Sequence, residues 1–200
     1  EHIHNLQALP GAEIVAVADP DQNSLNHAKS IVNPQTGLFQ NYRDLLERGE
    51  CDALVIATPN MTHTEILLEV LETGLPALVE KPLCTTVSDC KKVIEKAGNQ
   101  SKIWVGLEYR YMPAIAELIR QVTEGKAGPI SMVAIREHRF PFLKKVGDWN
   151  RFNDNTGGTL VEKCCHFFDL MRLISGSNPI RVFASGDQDV NHLDESYDGR

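Results

Sequence analysis

Lys81 stands in the tripeptide Glu80-Lys81-Pro82, directly after the apolar run Leu75-Pro76-Ala77-Leu78-Val79. The run reads as a buried strand, and Pro82 ends it because proline cannot donate to the ladder. Lys81 is therefore held at the carboxyl end of a strand, the position where open α/β sheets gather their ligands. A second chemical segment, Gly157-Gly158-Thr159-Leu160-Val161-Glu162-Lys163-Cys164-Cys165-His166-Phe167-Phe168-Asp169, opens a helix predicted over 160–174. Its spacing puts Glu162 and His166 one turn apart on one face, with Asp169 following at i+7. A histidine one turn beyond an acid is an oriented acid/base pair, suited to taking a hydroxyl proton while a hydride leaves. The same spacing also fits an exposed Glu–His pair worth about 0.2–0.5 kcal/mol. Phe167, Leu170, Met171 and Ile174 form the neighbouring apolar stripe, which favours a cleft over an open face. A zinc reading of Glu162 and His166 lacks a third ligand, so no metal is expected.

Two further segments carry polar groups at strand ends. Asp19 closes the run Glu13-Ile14-Val15-Ala16-Val17-Ala18. In a dinucleotide-binding fold an acid at the end of the second strand binds the adenosine ribose hydroxyls and repels a 2′-phosphate, which favours NAD over NADP. An aspartate before proline is equally a common turn residue. Thr58-Pro59-Asn60 and His63 follow the run Ala53-Leu54-Val55-Ile56-Ala57. Thr58 and Asn60 can hydrogen-bond a nicotinamide ribose in that crevice, and Asn60 or Thr62 can also cap the following helix.

The elements that must position these residues alternate. Strands are expected at 13–19, near 38–39, at 53–57, at 75–79 and at 103–106. Helices are expected over 24–32, 42–48, 63–73 and 87–97. Continuous rather than alternating hydrophobicity in the strands indicates a parallel sheet covered on both faces, the doubly wound α/β class. After residue 112 the rhythm changes to a helix at 113–124, a long strand at 130–140, an irregular stretch at 141–156, the helix at 160–174 and a strand beginning at 181–185. The expectation is a Rossmann-type doubly wound parallel sheet over residues 1–108, followed by an unfinished α+β domain over 109–200.

The glycine-rich turn G-x-G-x-x-G that should precede Asp19 by roughly 20 residues is not in the chain. Residues 2–9 read as the end of the helix that such a turn opens, so the first strand is expected upstream of Glu1. In the order 3-2-1-4-5-6 that strand is central, and the strands ending at Asp19 and Ala57 would each lack a neighbour. A chain without it is expected to fold and bind dinucleotide poorly.

The chain has 200 residues, 42% hydrophobic and 24% charged, with a formal net charge of -7. That balance argues against a nucleic-acid backbone binder. No stretch reaches the roughly 18–20 apolar residues that span a bilayer, and no signal peptide is evident. Five cysteines without a C-x-x-C pair fit a reducing cytoplasm, with adjacent Cys164 and Cys165 read as packing residues.

Taken in order, Ala16-Val17-Ala18-Asp19, Ala57-Thr58-Pro59-Asn60 with His63, Glu80-Lys81-Pro82, Arg110 with Pro113, and the Gly157-Gly158 to His166-Phe167-Phe168-Asp169 block resemble the glucose–fructose oxidoreductase / inositol dehydrogenase / MocA (Gfo/Idh/MocA) family. The resemblance implies a nicotinamide-dependent oxidoreductase acting on a secondary alcohol of a sugar, cyclitol or related polyhydroxy compound, with NAD as cofactor and NADP the alternative. It makes Lys81 the lysine that holds the reacting oxygen and the cofactor ribose, and His166 the acid/base. Glu162 stands where many members have aspartate, and Lys163 after it is bulkier than expected. The cofactor-facing set is then Asp19, Thr58, Asn60, His63, Glu80 and Lys81. Charged Lys81 would stabilise a developing alkoxide, His166 would accept the proton, and the lysine's charge would disfavour protonated His166. Two other functions share the scaffold: an NAD-dependent glycosidase that oxidises its sugar transiently, and a non-catalytic nucleotide sensor. Substrate contacts are expected from 139–155 (Arg139, Lys144, Trp149, Asn150 and Arg151), a segment that also reads as a surface loop. Homo-oligomerisation is a family-level expectation.

Overall fold

A computed structural model describes residues 1–100, 102–138 and 145–186 of the 200-residue chain. The chain divides into two compact units, residues 1–54 with 72–76, and residues 55–71 with 77–200.

In the first unit, helix α1 (His2–Gln7) is followed by strand β1 (Ala16–Ala18), helix α2 (Gln22–Ile31), strand β2 (Gly37–Phe39) and helix α3 (Tyr42–Arg48). Strands β1 and β2 pair in parallel, Val17 opposite Leu38. Asp21 caps α2 by accepting from the Ser24 N–H at 2.8 Å, and Gly49 ends α3 in the left-handed region. Leu25 and Ala28 are the buried face of α2.

The second sheet has the order β3 (Leu54–Ile56), β4 (Ala77–Glu80), β5 (Ile103–Gly106). Strands β4 and β5 run parallel, with Glu80 opposite Gly106. After β3 comes a 3₁₀ turn, Asn60–Thr62, and then α4 (His63–Thr73), which buries His63, Ile66, Leu67 and Val70. Helix α5 (Val87–Ala97) follows β4, its Thr86 cap accepting from the Asp89 N–H at 3.1 Å. The core of this unit centres on Leu67, Val70, Val79 and Val93, each at most 2% exposed. Among the described residues both strands expected to lack a neighbour are edges: β1 pairs with β2 alone, and β3 with β4 alone. Cover of the sheet faces is incomplete among the described residues, where Val55 of β3 and Trp104 of β5 are 38% and 59% exposed.

Beyond β5 lie a 3₁₀ segment (Glu108–Tyr111), α6 (Pro113–Thr123), an irregular 3₁₀ segment (Val146–Arg151), α7 (Asn153–Thr156), α8 (Thr159–Glu162) and α9 (Cys165–Ser175). Three expectations are corrected here. Residues 130–138 and 181–185 form no strand, because a strand exists only as a hydrogen-bonded pair and no described segment pairs with either. The helix expected over 160–174 is two helices, broken at Lys163 and Cys164. Arg139 and Lys144 lie outside the described residues.

Candidate active site

The second unit gathers Lys81, Glu162 and His166. Lys81 follows β4 directly, its main-chain N–H donating to Glu80 Oε2 at 3.2 Å, and the Lys81–Pro82 peptide is cis. Its Nζ donates to the main-chain carbonyl of Glu162 at 3.1 Å. That carbonyl is available because of the break after α8. In an unbroken helix it would accept from the N–H of His166. Here the Cys164 N–H reaches back five residues to the Thr159 carbonyl at 3.1 Å, a π-type turn of the kind that recurs at functional sites. Two glycines bring this segment in: Gly157 at φ 79° and Gly158 at φ 79°, ψ 171°, the latter a conformation open essentially to glycine alone.

His166 is 1% exposed. Its Nε2 stands 3.4 Å from Oε1 of Glu108, whose side chain is largely exposed, while its Nδ1 is buried with no hydrogen-bond partner among the described residues. Burial, joined by the charges of Lys81 and Lys163 and opposed by Glu80 and Asp169, pushes the imidazole down to about 4. His166 is therefore neutral at pH 7, in the direction read from the sequence, although burial outweighs Lys81 as the cause. Glu162, 8% exposed, is pushed up by burial against the pull of Lys81, Lys145 and Lys163.

Asp169 does not join the acid/base pair. Arg110 holds it with two parallel hydrogen bonds, Nε to Oδ2 at 2.6 Å and a second from the other nitrogen to Oδ1, locking the Glu108–Tyr111 segment to α9. Tyr109 of that segment lies flat on the His166 ring, and Lys163 Nζ donates to its hydroxyl. Sequence reasoning missed Glu108 and Tyr109. Their position immediately after the carboxyl end of β5 was the one signal that could have found them.

His63 is fully buried, with Nδ1 2.8 Å from the Pro82 carbonyl and Nε2 3.0 Å from the Thr58 carbonyl. The ring ties the loop after β3 to the loop after β4, so it acts on Thr58 and Lys81 through the backbone. The Thr58 hydroxyl accepts from Thr62 at 2.8 Å. Asn60 is 5% exposed and, among the described residues, its buried Nδ2 has no acceptor. An orphaned amide at the carboxyl end of β3 is a group a polar ligand would satisfy, and with Thr58 two residues before it and His63 tying its loop to the one that carries Lys81 and Pro82, it fits the ribose and amide chemistry of a nicotinamide nucleotide. Glu80 faces Gly106, where an added Cβ would come within 3.4 Å of its Oε2. In the first unit, Asp19 Oδ1 accepts from the Asp21 N–H at 2.9 Å, the turn geometry that Asp19-Pro20 suggested. Of the substrate-contact candidates, Asn150 is 6% exposed, which sets this part of the segment apart from a plain surface loop.

Residues 1–109 match the oxidoreductase family with NAD-binding Rossmann fold (Gfo/Idh/MocA), and residues 119–198 match that family's C-terminal alpha/beta domain. The scyllo-inositol 2-dehydrogenase (NAD(+)) of Bacillus subtilis is 28% identical over 200 residues, covering 98% of this chain and 56% of that protein. A glycosyl hydrolase family 109 protein of Shewanella pealeana is 28% identical over 166 residues, covering 76% of this chain and 36% of that protein. The crystal structure of myo-inositol 2-dehydrogenase from Lactobacillus plantarum superposes with a TM-score of 0.72 at 21% identity, over 89% of this chain and 53% of that one, and so speaks for the fold. The chain spans about half the length of the curated relatives it matches.

Proposed function

Because this chain belongs to the Gfo/Idh/MocA oxidoreductase family, whose N-terminal domain is an NAD-binding Rossmann fold, we propose that the protein carrying it is an NAD-dependent dehydrogenase of a secondary alcohol in a cyclitol, sugar or related polyol. The observation that carries the reading is His166, a buried imidazole that is neutral at pH 7, beside Lys81, a lysine held on the Glu162 carbonyl. NAD, when bound, supplies the hydride acceptor. Asn60, Thr58 and Lys81 are the residues suited to its nicotinamide ribose, with His63 and Glu80 fixing their loops, and Asp19 the residue suited to its adenosine ribose. The lysine head of Lys81 offsets the negative charge that develops on the substrate oxygen. His166 takes the hydroxyl proton, and the exposed carboxylate of Glu108, 3.4 Å away, gives that proton a way to solvent. Glu162 borders the substrate, its proton affinity raised by burial against the pull of Lys81, Lys145 and Lys163. On this reading residues 1–108 serve the nucleotide, and residues 109–200 serve the substrate and subunit contacts.

The test uses the intact protein with NAD and a panel of cyclitols and sugars, following NADH absorbance. Turnover on at least one member, lowered about 100-fold or more by Lys81→Ala, is the expected result. The family 109 relative supports a second reading, an NAD-dependent glycosidase on the same scaffold. Retained NAD, release of a glycosidic leaving group and no net NADH would select it. Cofactor binding with neither reaction would select a sensor.

A further inference from the structure

Tyr109 and His166 stack with ring centroids 4.1 Å apart and planes within 8°. The Tyr109 hydroxyl accepts from Lys163 Nζ and donates to Glu137 Oε1 at 3.3 Å. Lys163 Nζ is also 4.6 Å from the Tyr109 ring centroid and 3.8 Å from Glu137 Oε1, with its side chain only 10% exposed. At 3.8 Å from the Glu137 carboxylate this largely buried ammonium is loosely paired, and its firm partner among the described residues is the Tyr109 hydroxyl. Its position beside the base is therefore not accounted for by the ion pair alone.

We propose that Tyr109 and Lys163 are positioning residues for His166: Tyr109 fixes the plane of the imidazole, and Lys163, clamped on the Tyr109 hydroxyl, holds a second cation near it that keeps a proton from settling on the ring. The inference rests on His166 being the base of the proposed reaction. Charged and titratable groups reach His166 from every element around it: Glu80 and Lys81 from the end of β4, Glu108 and Tyr109 from the 3₁₀ segment, Glu162 and Lys163 from α8 and its break, and Cys165 and Asp169 from α9. Asp169 is tied to Arg110. When a substrate oxygen becomes negative beside Lys81, it offsets that lysine's field at the ring. Lys163 is the cation whose effect persists through the step, because its partners do not change.

The experiment is a histidine NMR titration of the intact protein, with His166 assigned by His166→Asn, alongside the pH profile of kcat/KM. Lys163→Met raises the His166 midpoint by about one pH unit and moves the acid limb of kcat/KM with it, while Lys163→Arg restores both. Glu137→Gln, at a more exposed position, shifts the midpoint the other way and serves if Lys163→Met does not fold. Tyr109→Leu lowers kcat about tenfold or more with KM little changed, and Tyr109→Phe, which keeps the stack but loses the hydroxyl that clamps Lys163, recovers most of kcat while raising the His166 midpoint. A His166 midpoint unmoved in both folded Lys163→Met and Glu137→Gln overturns the inference. The titration needs no turnover, so absence of dehydrogenase activity would sink the proposed function and leave this result readable.

Discussion

His166 is where pH acts on this protein. Its imidazole is held near 4 in the folded chain against an ordinary 6.5. Between those values the unfolded chain binds a proton that the folded chain refuses, so this group contributes a loss of stability as pH falls from about 6.5 towards 4 and nothing above that window. Glu162, pushed up, works with the opposite sign, its contribution falling as pH rises past the ordinary carboxylate value. The two are separated by comparing slopes. Urea unfolding at pH 7 and pH 5 should show a larger loss for the parent protein than for His166→Asn, and equal losses would mean that His166 is not neutral and buried. At this scale the sequence identified the pair, Glu162 and His166, and the direction in which Lys81 pushes the imidazole, but not the burial that is the larger cause for both.

The glycine turn between α7 and α8 and the break between α8 and α9 decide what the site can do. A Cβ at Gly157 would lie 2.5 Å from the Thr85 carbonyl and 2.9 Å from Val161 Cγ1, so the turn sits directly on the loop that follows Lys81. Gly157→Ala therefore combines a left-handed backbone with a collision against main chain. It should cost about 1–3 kcal/mol of stability beyond Gly176→Ala, which meets the same left-handed strain at the end of α9 with nothing within 4 Å. Thermal or urea unfolding of the two variants checks this, and equal losses would show that the turn yields freely. The apolar periodicity correctly marked the residues of α8 and α9 as helical. It could not show the break, because the pattern records which side faces the core and not which carbonyl a distant lysine takes.

Across the whole molecule the residues proposed for function divide between the two units, Asp19 in the first and the Lys81–His166 cluster in the second. Asp19→Ser is expected to shift cofactor preference from NAD towards NADP by about tenfold or more, since it removes a negative charge from beside a 2′-phosphate. The ratio of kcat/KM for the two cofactors reads it, with the His166 titration unchanged, and an unaltered ratio would leave Asp19 as a turn residue alone. Local pattern by itself determined a great deal of this protein. The apolar runs that became β1 to β5 and the position of Lys81 at a strand end follow from side-chain type and period. The family itself follows from the order of short segments such as Glu80-Lys81-Pro82. Only the tertiary structure decided the rest: that residues 130–138 and 181–185 form no ladder among the described residues, that Arg110 takes Asp169 from 59 residues away, and that burial under Tyr109 outweighs Lys81 in lowering the proton affinity of His166. The reason is common to all three. Period and propensity are properties of neighbours in sequence, whereas strand pairing, ion pairing and proton affinity depend on which distant groups the fold brings together and how much water it leaves between them.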